Sequence, residues 1–498
     1  MTDSSPAKRV RFAPSPTGLT HLGSARTALY NYLLAKQSGG QFILRIEDTD
    51  SKRYVAEAED DLKNSLQWLG LMWDEGIGVE GPHAPYRQSE RKALYQEHAQ
   101  ELIAKEHAFY CFCTPSDLES ARKDQLKRKE QTRYPGTCRL LSPAQAKQRA
   151  DAGEEHVIRF KMPQEGSITV VDELRGEITF ENQHLDDYIL VKSDGQALYH
   201  LAAMVDDHAM QITHVARSEE WLATLPLHAH IYRAFGWVEP KWIHLSVFLK
   251  PQGKGKMSKR DTAEMKLSGQ SIFIQDLEMM GYIPEGVINW IALMGWSYDD
   301  KTEFFSLDDL VEKFSIHKLN PSPAAIDFKK LDHFNGLHIR ALEAHDLAQR
   351  LLPFFQTAGY DVTLEQLVAI VPLIQERMAT IDDAPVLAGF LFKEEVNPNP
   401  KDLIAKGLTA GKSADITQQA LSLLEGVPDW QHDSLQAPLR SLAEELEIKA
   451  GQLFGILRVA ITGQRVSPPL FESMEVLGRD ISIKRIKHAI DLLDAQSV

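Results

Sequence analysis

Residues 9–50 read "RVRFAPSPTGLTHLGSARTALYNYLLAKQSGGQFILRIEDTD", and the way this stretch divides decides the fold. Val10, Phe12 and Ala13 make a short apolar strand that Pro14, Pro16 and Gly18 bring to an end. Leu22, Ala25, Leu29 and Leu33 then recur at helical spacing until Gly39 and Gly40 stop the helix. "FILRI" at 42–46 predicts a second strand. Strand, helix, strand is a βαβ unit, which belongs to a parallel sheet covered by helices. Ligands on such sheets sit beyond the carboxyl ends of the strands, where the loop "APSPTG" and the acids Glu47, Asp48 and Asp50 fall. His21 and Gly23 stand at the helix start, whose unpaired N–H groups and positive dipole end favour a phosphate. A lone His-x-Gly suits an ordinary helix start equally well.

Residues 251–260, "PQGKGKMSKR", carry four basic side chains and no acid in a chain whose formal net charge is −15. Alone, such a loop is a solvated surface segment. Together with His-x-Gly on a Rossmann-type unit, it suggests a nucleotide held from two sides. Lysine suits that task because a flexible point charge can follow a phosphate whose geometry changes.

At 498 residues the chain should form several domains, and 43% hydrophobic with 25% charged residues is normal for a soluble globular protein. The most apolar stretch, "GVINWIALMGW" at 286–296, is too short to cross a bilayer and contains Asn289. The polar start "MTDSSPAKR" is neither a signal nor a transit peptide. Three cysteines make no disulfide framework, so a reducing cytoplasm is expected. The acidic balance argues against a passive nucleic-acid coat without excluding a local basic surface.

The ordered set "RFAPSPTGLTHLGSA", "RIEDTD", "LYHLAAMVDDH", "RSEEW" and "KMSKR" resembles the signatures of bacterial-type glutamyl-tRNA synthetases, which are class I aminoacyl-tRNA synthetases. Weaker likeness runs from "GYIPEGVINWIALMGWS" to "LFGILRVAITGQRVSPPLFESMEVLGRD". Ser24 replaces the second histidine of the general class I signature. The resemblance implies ATP with Mg²⁺, L-glutamate and tRNA(Glu) as substrates, and glutamyl-adenylate as the intermediate. It places ATP against Thr17, Gly18, His21, Gly23, Ser24 and the loop residues Lys256, Met257, Ser258, Lys259 and Arg260. His21, Lys256 and Lys259 would act on the phosphates.

Glutamate is implied at Arg11, Ala13, Ser15, Glu47, Tyr199 and Arg217. A guanidinium can grip the side-chain carboxylate through two parallel hydrogen bonds, which makes Arg11 and Arg217 the expected anchors. Glu47 suits the α-ammonium. Ala203 stands where many relatives carry asparagine, so one polar contact should be missing.

Cys111, Cys113 and Cys138 offer three thiolates to a tetrahedral Zn²⁺, or are three reduced structural cysteines. Leu140 stands where some relatives supply a histidine, and Tyr134 is a substitute fourth ligand as in glutamyl-queuosine tRNA synthetases. "ARKDQLKRKEQTRY" at 121–134 is a basic surface for the tRNA acceptor end or a solvated helix. His228 and His230 diverge at i, i+2 on a helix, and neither they nor Asp206 and Asp207 are assigned a metal.

The expected fold is an α/β Rossmann-type catalytic domain over 1–93 and 200–250, interrupted by an α+β connective insertion at 94–199. A region carrying the lysine loop spans 251–334, and an all-α anticodon-binding region spans 335–498. There, "TLEQLVAIVPLIQERMATI" puts Leu364, Leu367, Val368, Val371 and Met378 on one buried face. The helical tail argues against two relatives: the queuosine-modifying enzymes, which lack it, and glutaminyl-tRNA synthetases, whose C-terminal half is β-barrel. A small-molecule nucleotidyltransferase would not need it, and a non-catalytic RNA-binding paralogue would not keep His21 and Lys259. A monomer is expected. Whether tRNA(Gln) is also charged is not legible.

Overall fold

The computed structural model describes residues 7–49, 55–255, 257, 262, 265 and 269–496. Asp50 and the loop residues Lys256, Ser258, Lys259 and Arg260 lie outside the described residues. The chain divides into two compact units, Met1–Leu277 with Ile288–Phe328, and Glu278–Val287 with Lys329–Val498.

The strands of the first unit are β1 (Arg9–Phe12), β2 (Gln41–Leu44), β3 (Glu75–Gly76), β4 (Ala108–Cys111), β5 (Val157–Phe160), β6 (Ser167–Asp172), β7 (Gly176–Glu181), β8 (Ile189–Val191), β9 (His214–Ser218) and β10 (Lys241–Leu245), with the short parallel pair β11 (Phe248–Leu249) and β12 (Ala324–Ala325). Seven form one sheet in the order β3-β2-β1-β9-β10-β6-β7, parallel throughout except for the β6–β7 hairpin. β1 pairs with β2 from Arg9↔Gln41 to Phe12↔Leu44, and the helix Leu22–Gln37 crosses between them, as the βαβ reading requires. Val10, Arg11 and Phe12 are all buried, because helices cover both faces of a parallel sheet. The second strand stops at Leu44, short of "FILRI", and Ile46 pairs with Arg87 instead.

Within 94–199 the strands β4, β5 and β8 build a separate antiparallel sheet, while β6 and β7 extend the large one. The junction is Trp242↔Asp172, which places Asp172 at the carboxyl end of β6, beside β10.

The second unit is helical. Leu367, Val371 and Met378 are buried, with Leu364 and Val368 packed against the same cluster. The helix itself covers only Leu364–Ile374, opened by a Thr363/Gln366 capping box, and gives way to a tighter turn over 375–377. Five further helices, from Ala410–Glu425 to Arg479–Asp494, enclose a second apolar cluster around Leu421, Leu453, Leu457 and Ile486.

Candidate active site

The helix Leu22–Gln37 begins on a histidine cap. His21 has extended backbone, and its Nδ1 accepts the N–H groups of Gly23 (3.1 Å) and Ser24 (3.3 Å). Leu22 N–H donates to the Ile272 carbonyl at 2.8 Å and Ala25 N–H to that of His21 at 3.0 Å. The first N–H groups of the helix are therefore taken, contrary to the expectation of unpaired donors. The positive dipole end remains there, and His21 Nε2 lies 3.4 Å from Ser24 Oγ. Gly23 has its own reason: a Cβ there would stand 3.1 Å from His21 Cε1, so glycine makes room for the capping ring. The segment after the lysine loop pairs with this corner, through Ile274 N–H to Thr20 carbonyl at 3.0 Å and a bridge between His21 and Phe273. Met257 is tied to Phe248 by a backbone hydrogen bond of 3.0 Å.

Below this corner lies a block of buried charge. Arg11 donates Nε and Nη2 to the two oxygens of Asp207, at 3.0 and 3.3 Å. Arg45 reaches Asp207 at 2.7 Å and Glu47 at 2.9 Å, and Arg91 reaches Asp206 at 2.7 Å. Asp206 also accepts from Gln88 and Tyr95. These guanidiniums and carboxylates balance one another, as charges taken out of water must. Burial would lift the Asp207 carboxyl, but Arg11 and Arg45 outweigh it and hold it below its ordinary range. Burial lifts Glu47 above its ordinary range against the pull of Arg45 and Arg11. Arg11 was expected to share the grip on a substrate carboxylate; Asp207 takes its Nε and one hydrogen of Nη2, the side of the guanidinium away from Nη1.

Arg217, on β9, is different. It is 4% exposed, and no carboxylate of a described residue lies within 4.0 Å of it. Its partners are the Tyr199 hydroxyl (3.2 Å), His228 Nδ1 (2.9 Å) and His244 Nε2 (3.1 Å), all neutral acceptors, and the Trp242 ring at 5.1 Å. A buried cation with no carboxylate in direct contact suits an incoming anion. Trp221 stacks on Tyr199 at 4.0 Å and fixes that ring beside it.

Of the pocket residues read from the sequence, Arg11, Glu47, Tyr199 and Arg217 converge at the carboxyl ends of β1, β2 and β9. Ser15 lies exposed in the loop after β1, where its carbonyl accepts from Thr17 N–H at 2.9 Å, and Ala13 is half-buried. Gly18 has φ +147°, a conformation that suits glycine. Ala203 is fully buried among apolar side chains, so it supplies no polar contact. His228 and His230 do diverge: the former faces Arg217, the latter Asn182 Oδ1 at 2.9 Å. Sequence reasoning missed the roles of Arg45, Asp207, His244 and Asp172. A signal existed for Asp206 and Asp207: two adjacent acids inside the apolar run "LAAMVDDHAM" must find buried cations or break the helix's packing.

Beyond the pocket, the sulfurs of Cys111, Cys113 and Cys138 lie within 4.8 Å of one another, with 3.6 Å between Cys113 and Cys138. The Tyr134 hydroxyl is 3.4 Å from Cys111 Sγ and 3.9 Å from Cys113 Sγ. Tetrahedral thiolates around zinc stand about 3.8 Å apart, so the residues fit the ion. Burial raises the Cys111 thiol, but hydrogen bonds from Tyr134, Cys113 and Arg159 bring it below its ordinary value. Leu140 is 89% exposed.

Residues 8–333 match the family described as tRNA synthetases class I (E and Q), catalytic domain, and residues 346–490 match an anticodon binding domain. A glutamate–tRNA ligase of Dehalococcoides mccartyi strain CBDB1 is 44% identical over 487 residues, covering 97% of each chain. One from Borreliella burgdorferi is 42% identical over 492 residues, covering 97% of this chain and 99% of that one. A crystal structure of a glutamate tRNA ligase from Elizabethkingia meningosepticum, in complex with its amino acid, superposes with a TM-score of 0.88 at 34% identity, over 97% of this chain and 99% of that one. With its catalytic motifs in order, a parallel sheet presenting a buried arginine, and a helical C-terminal unit, this chain belongs to the glutamyl-tRNA synthetase family of the class I tRNA synthetases.

Proposed function

We propose that this protein joins L-glutamate to tRNA(Glu) in two steps, through glutamyl-adenylate, with release of pyrophosphate and then AMP. The observation that carries the reading is Arg217: a buried guanidinium whose partners among the described residues are all neutral, near the carboxyl end of β9. The side-chain carboxylate of glutamate supplies the missing charge there, and Tyr199 borders it. Glu47 accepts the α-ammonium. Its raised pKa makes this contact weaken as pH falls.

The α-carboxylate then attacks the α-phosphorus, and the P–O bond to pyrophosphate breaks. Positioning and charge stabilisation supply the catalysis. His21 and Ser24 face the triphosphate from the helix end. Lys256 and Lys259, which lie outside the described residues, hold the β- and γ-phosphates with Arg260. Mg²⁺ enters with ATP and shares the negative charge. The terminal ribose 2′-hydroxyl of the tRNA next displaces AMP.

The basic segment 121–134 lies toward the acceptor end, and the helical unit reads unpaired anticodon bases by stacking and edge hydrogen bonds. The enzyme works in the cytoplasm as a monomer on this reading; separately, among the described residues no helix is long and apolar enough to cross a membrane.

Charging assays with radiolabelled glutamate and separate transcripts of tRNA for glutamate, glutamine and aspartate test the reading. Incorporation on the glutamate tRNA is expected. Equal charging of the glutamine tRNA would make the enzyme non-discriminating, and glutamate transfer to a queuosine base instead would overturn the proposal.

Cys111, Cys113, Cys138 and Tyr134 are the residues that would hold Zn²⁺, as a structural tie between β4 and the 133–140 segment. Elemental analysis of protein purified without added zinc should give near one equivalent. Under about a tenth, with all thiols freely titratable, would leave three reduced structural cysteines.

A further inference from the structure

The structure assigns His244, with Asp172 behind it, as a positioning pair that holds the Arg217 guanidinium ready for the substrate carboxylate. This rests on the reading that Arg217 receives glutamate. Arg217 Nε can only donate, so His244 Nε2, 3.1 Å away, must be the bare acceptor nitrogen of the ring. The ring proton is then on Nδ1, which donates to Asp172 Oδ2 at 2.7 Å. The carboxylate is itself fixed. Its Oδ2 accepts the backbone N–H of His244 at 3.0 Å, and its Oδ1 accepts those of Leu174 and Arg175, each at 3.0 Å. Strand register sets this line: β10 lies between β9 and β6, with His244 opposite Arg217 and Trp242 opposite Asp172. Neither His244 nor Asp172 is more than 1% exposed.

The imidazole acts as a spacer. Asp207 touches Arg11 directly, through Nε and Nη2. Asp172 is kept one ring away from Arg217, so its charge favours the buried guanidinium without capping it. On the other side, Arg217 Nη2 donates to His228 Nδ1, so His228 Nε2–H donates to His200 Nδ1 at 3.0 Å. A guanidinium has five N–H groups. Nε is committed to His244, one hydrogen of Nη1 to Tyr199 and one of Nη2 to His228. One hydrogen on each terminal nitrogen remains, the number a carboxylate needs for a two-point grip. Burial and the nearby Arg217 keep the His228 ring neutral, and burial outweighs Asp172 in doing the same for His244, so neither opposes the anion's receptor with a second positive charge or loses its acceptor nitrogen.

Steady-state charging kinetics on the full chain test this with His244→Leu, His244→Gln and Arg217→Ala. His244→Leu should raise the KM for glutamate about tenfold or more, with kcat and the KM for ATP within about twofold. His244→Gln, whose amide can accept from Arg217 and donate to Asp172, should recover most of that loss. An unchanged glutamate KM in His244→Leu, with a raised one in Arg217→Ala, would overturn the pair while sparing the carboxylate site. An unchanged KM in Arg217→Ala would overturn the site itself. A fall in kcat alone, not rescued by glutamine, would mean that His244 is structural and would also overturn the assignment. Should His244→Leu not fold, imidazole ¹⁵N spectra of the wild-type protein decide, with His244→Gln assigning the signal. An Nδ1–H tautomer that responds to glutamate but not to ATP supports the pair, and an Nε2–H tautomer overturns it.

Discussion

In the helical unit Arg485 is the one Asp, Glu, Lys or Arg side chain buried among the described residues, whereas the sheet-bearing unit buries Arg11, Arg45, Arg91, Glu47, Asp206 and Asp207 in a single block. Arg485 meets no carboxylate of a described residue. It donates to the backbone carbonyls of Ile461 (2.6 Å), Phe390 (2.9 Å) and Lys393, and burial lowers its pKa to about 10. On the proposed function, the difference follows from the ligands. A pocket for a small anionic amino acid must hold charge in a dry place, and that charge needs a scaffold of further charges to stand on. A unit that meets its partner on the outside can fill its core with leucine and isoleucine.

If that contrast is right, the largest effect comes from breaking the scaffold. Asp207→Asn leaves Arg11 and Arg45 short of a buried counter-charge, at an expected cost of about 3–5 kcal/mol. Hydrogen exchange read by mass spectrometry should show lost protection in β1, β2 and the helix Tyr199–Ala209, with the helices Ala410–Glu425 and Arg479–Asp494 unchanged. Uniform loss in both units would break the comparison.

A smaller effect is expected from Arg485→Met, which keeps the apolar stem and removes the donors. The orphaned carbonyls should cost about 1–3 kcal/mol, confined to the helical unit. An effect as large as that of Asp207→Asn would mean that the helical core depends on charge after all.

Acid is the perturbation that acts on several groups at once. Burial lowers His200, His214 and His230, all in the first unit, to about 4. Their unfolded values lie near 6.5, so between pH 6.5 and 4 the unfolded state binds more protons and stability falls as pH drops. In the second unit His338 is lowered in the same way, but a hydrogen bond with Asp433 raises His432, which pulls in the opposite direction. Acidification from pH 7 to 5 should therefore open the sheet-bearing unit first. Simultaneous opening of both units would count against the histidines as the cause.

The sequence made the frame legible where one period dominates. The βαβ start could be read because apolar spacing, prolines and the Gly39–Gly40 stop all agree, and the tail could be read because its apolar faces repeat at helical spacing. Glu47, Tyr199 and Arg217 were legible as candidate pocket residues through their motifs. What could not be read was the division of labour between arginines. Arg11 and Arg217 look alike in one dimension, and only the approach of Asp207 to one of them, from a helix far along the chain, makes them different. His244 carries no motif at all: its importance is set by strand order, which places β10 between β9 and β6. The lost N–H groups at the helix start are of the same kind, because the capping histidine and the Ile272 carbonyl are local geometry that spacing does not encode.

The same charge block has a consequence for how the protein is made. Arg11, Arg45 and Arg91 are translated long before Asp206 and Asp207, the partners lying 196, 162 and 115 residues further on. A nascent chain that has released β1 and β2 can pair Arg45 with Glu47 but has no mate for Arg11 or Arg91. The strands cannot close over those cations at acceptable cost until the helix Tyr199–Ala209 emerges. Synthesis thus holds the first half of the sheet open, its apolar strands awaiting a late segment.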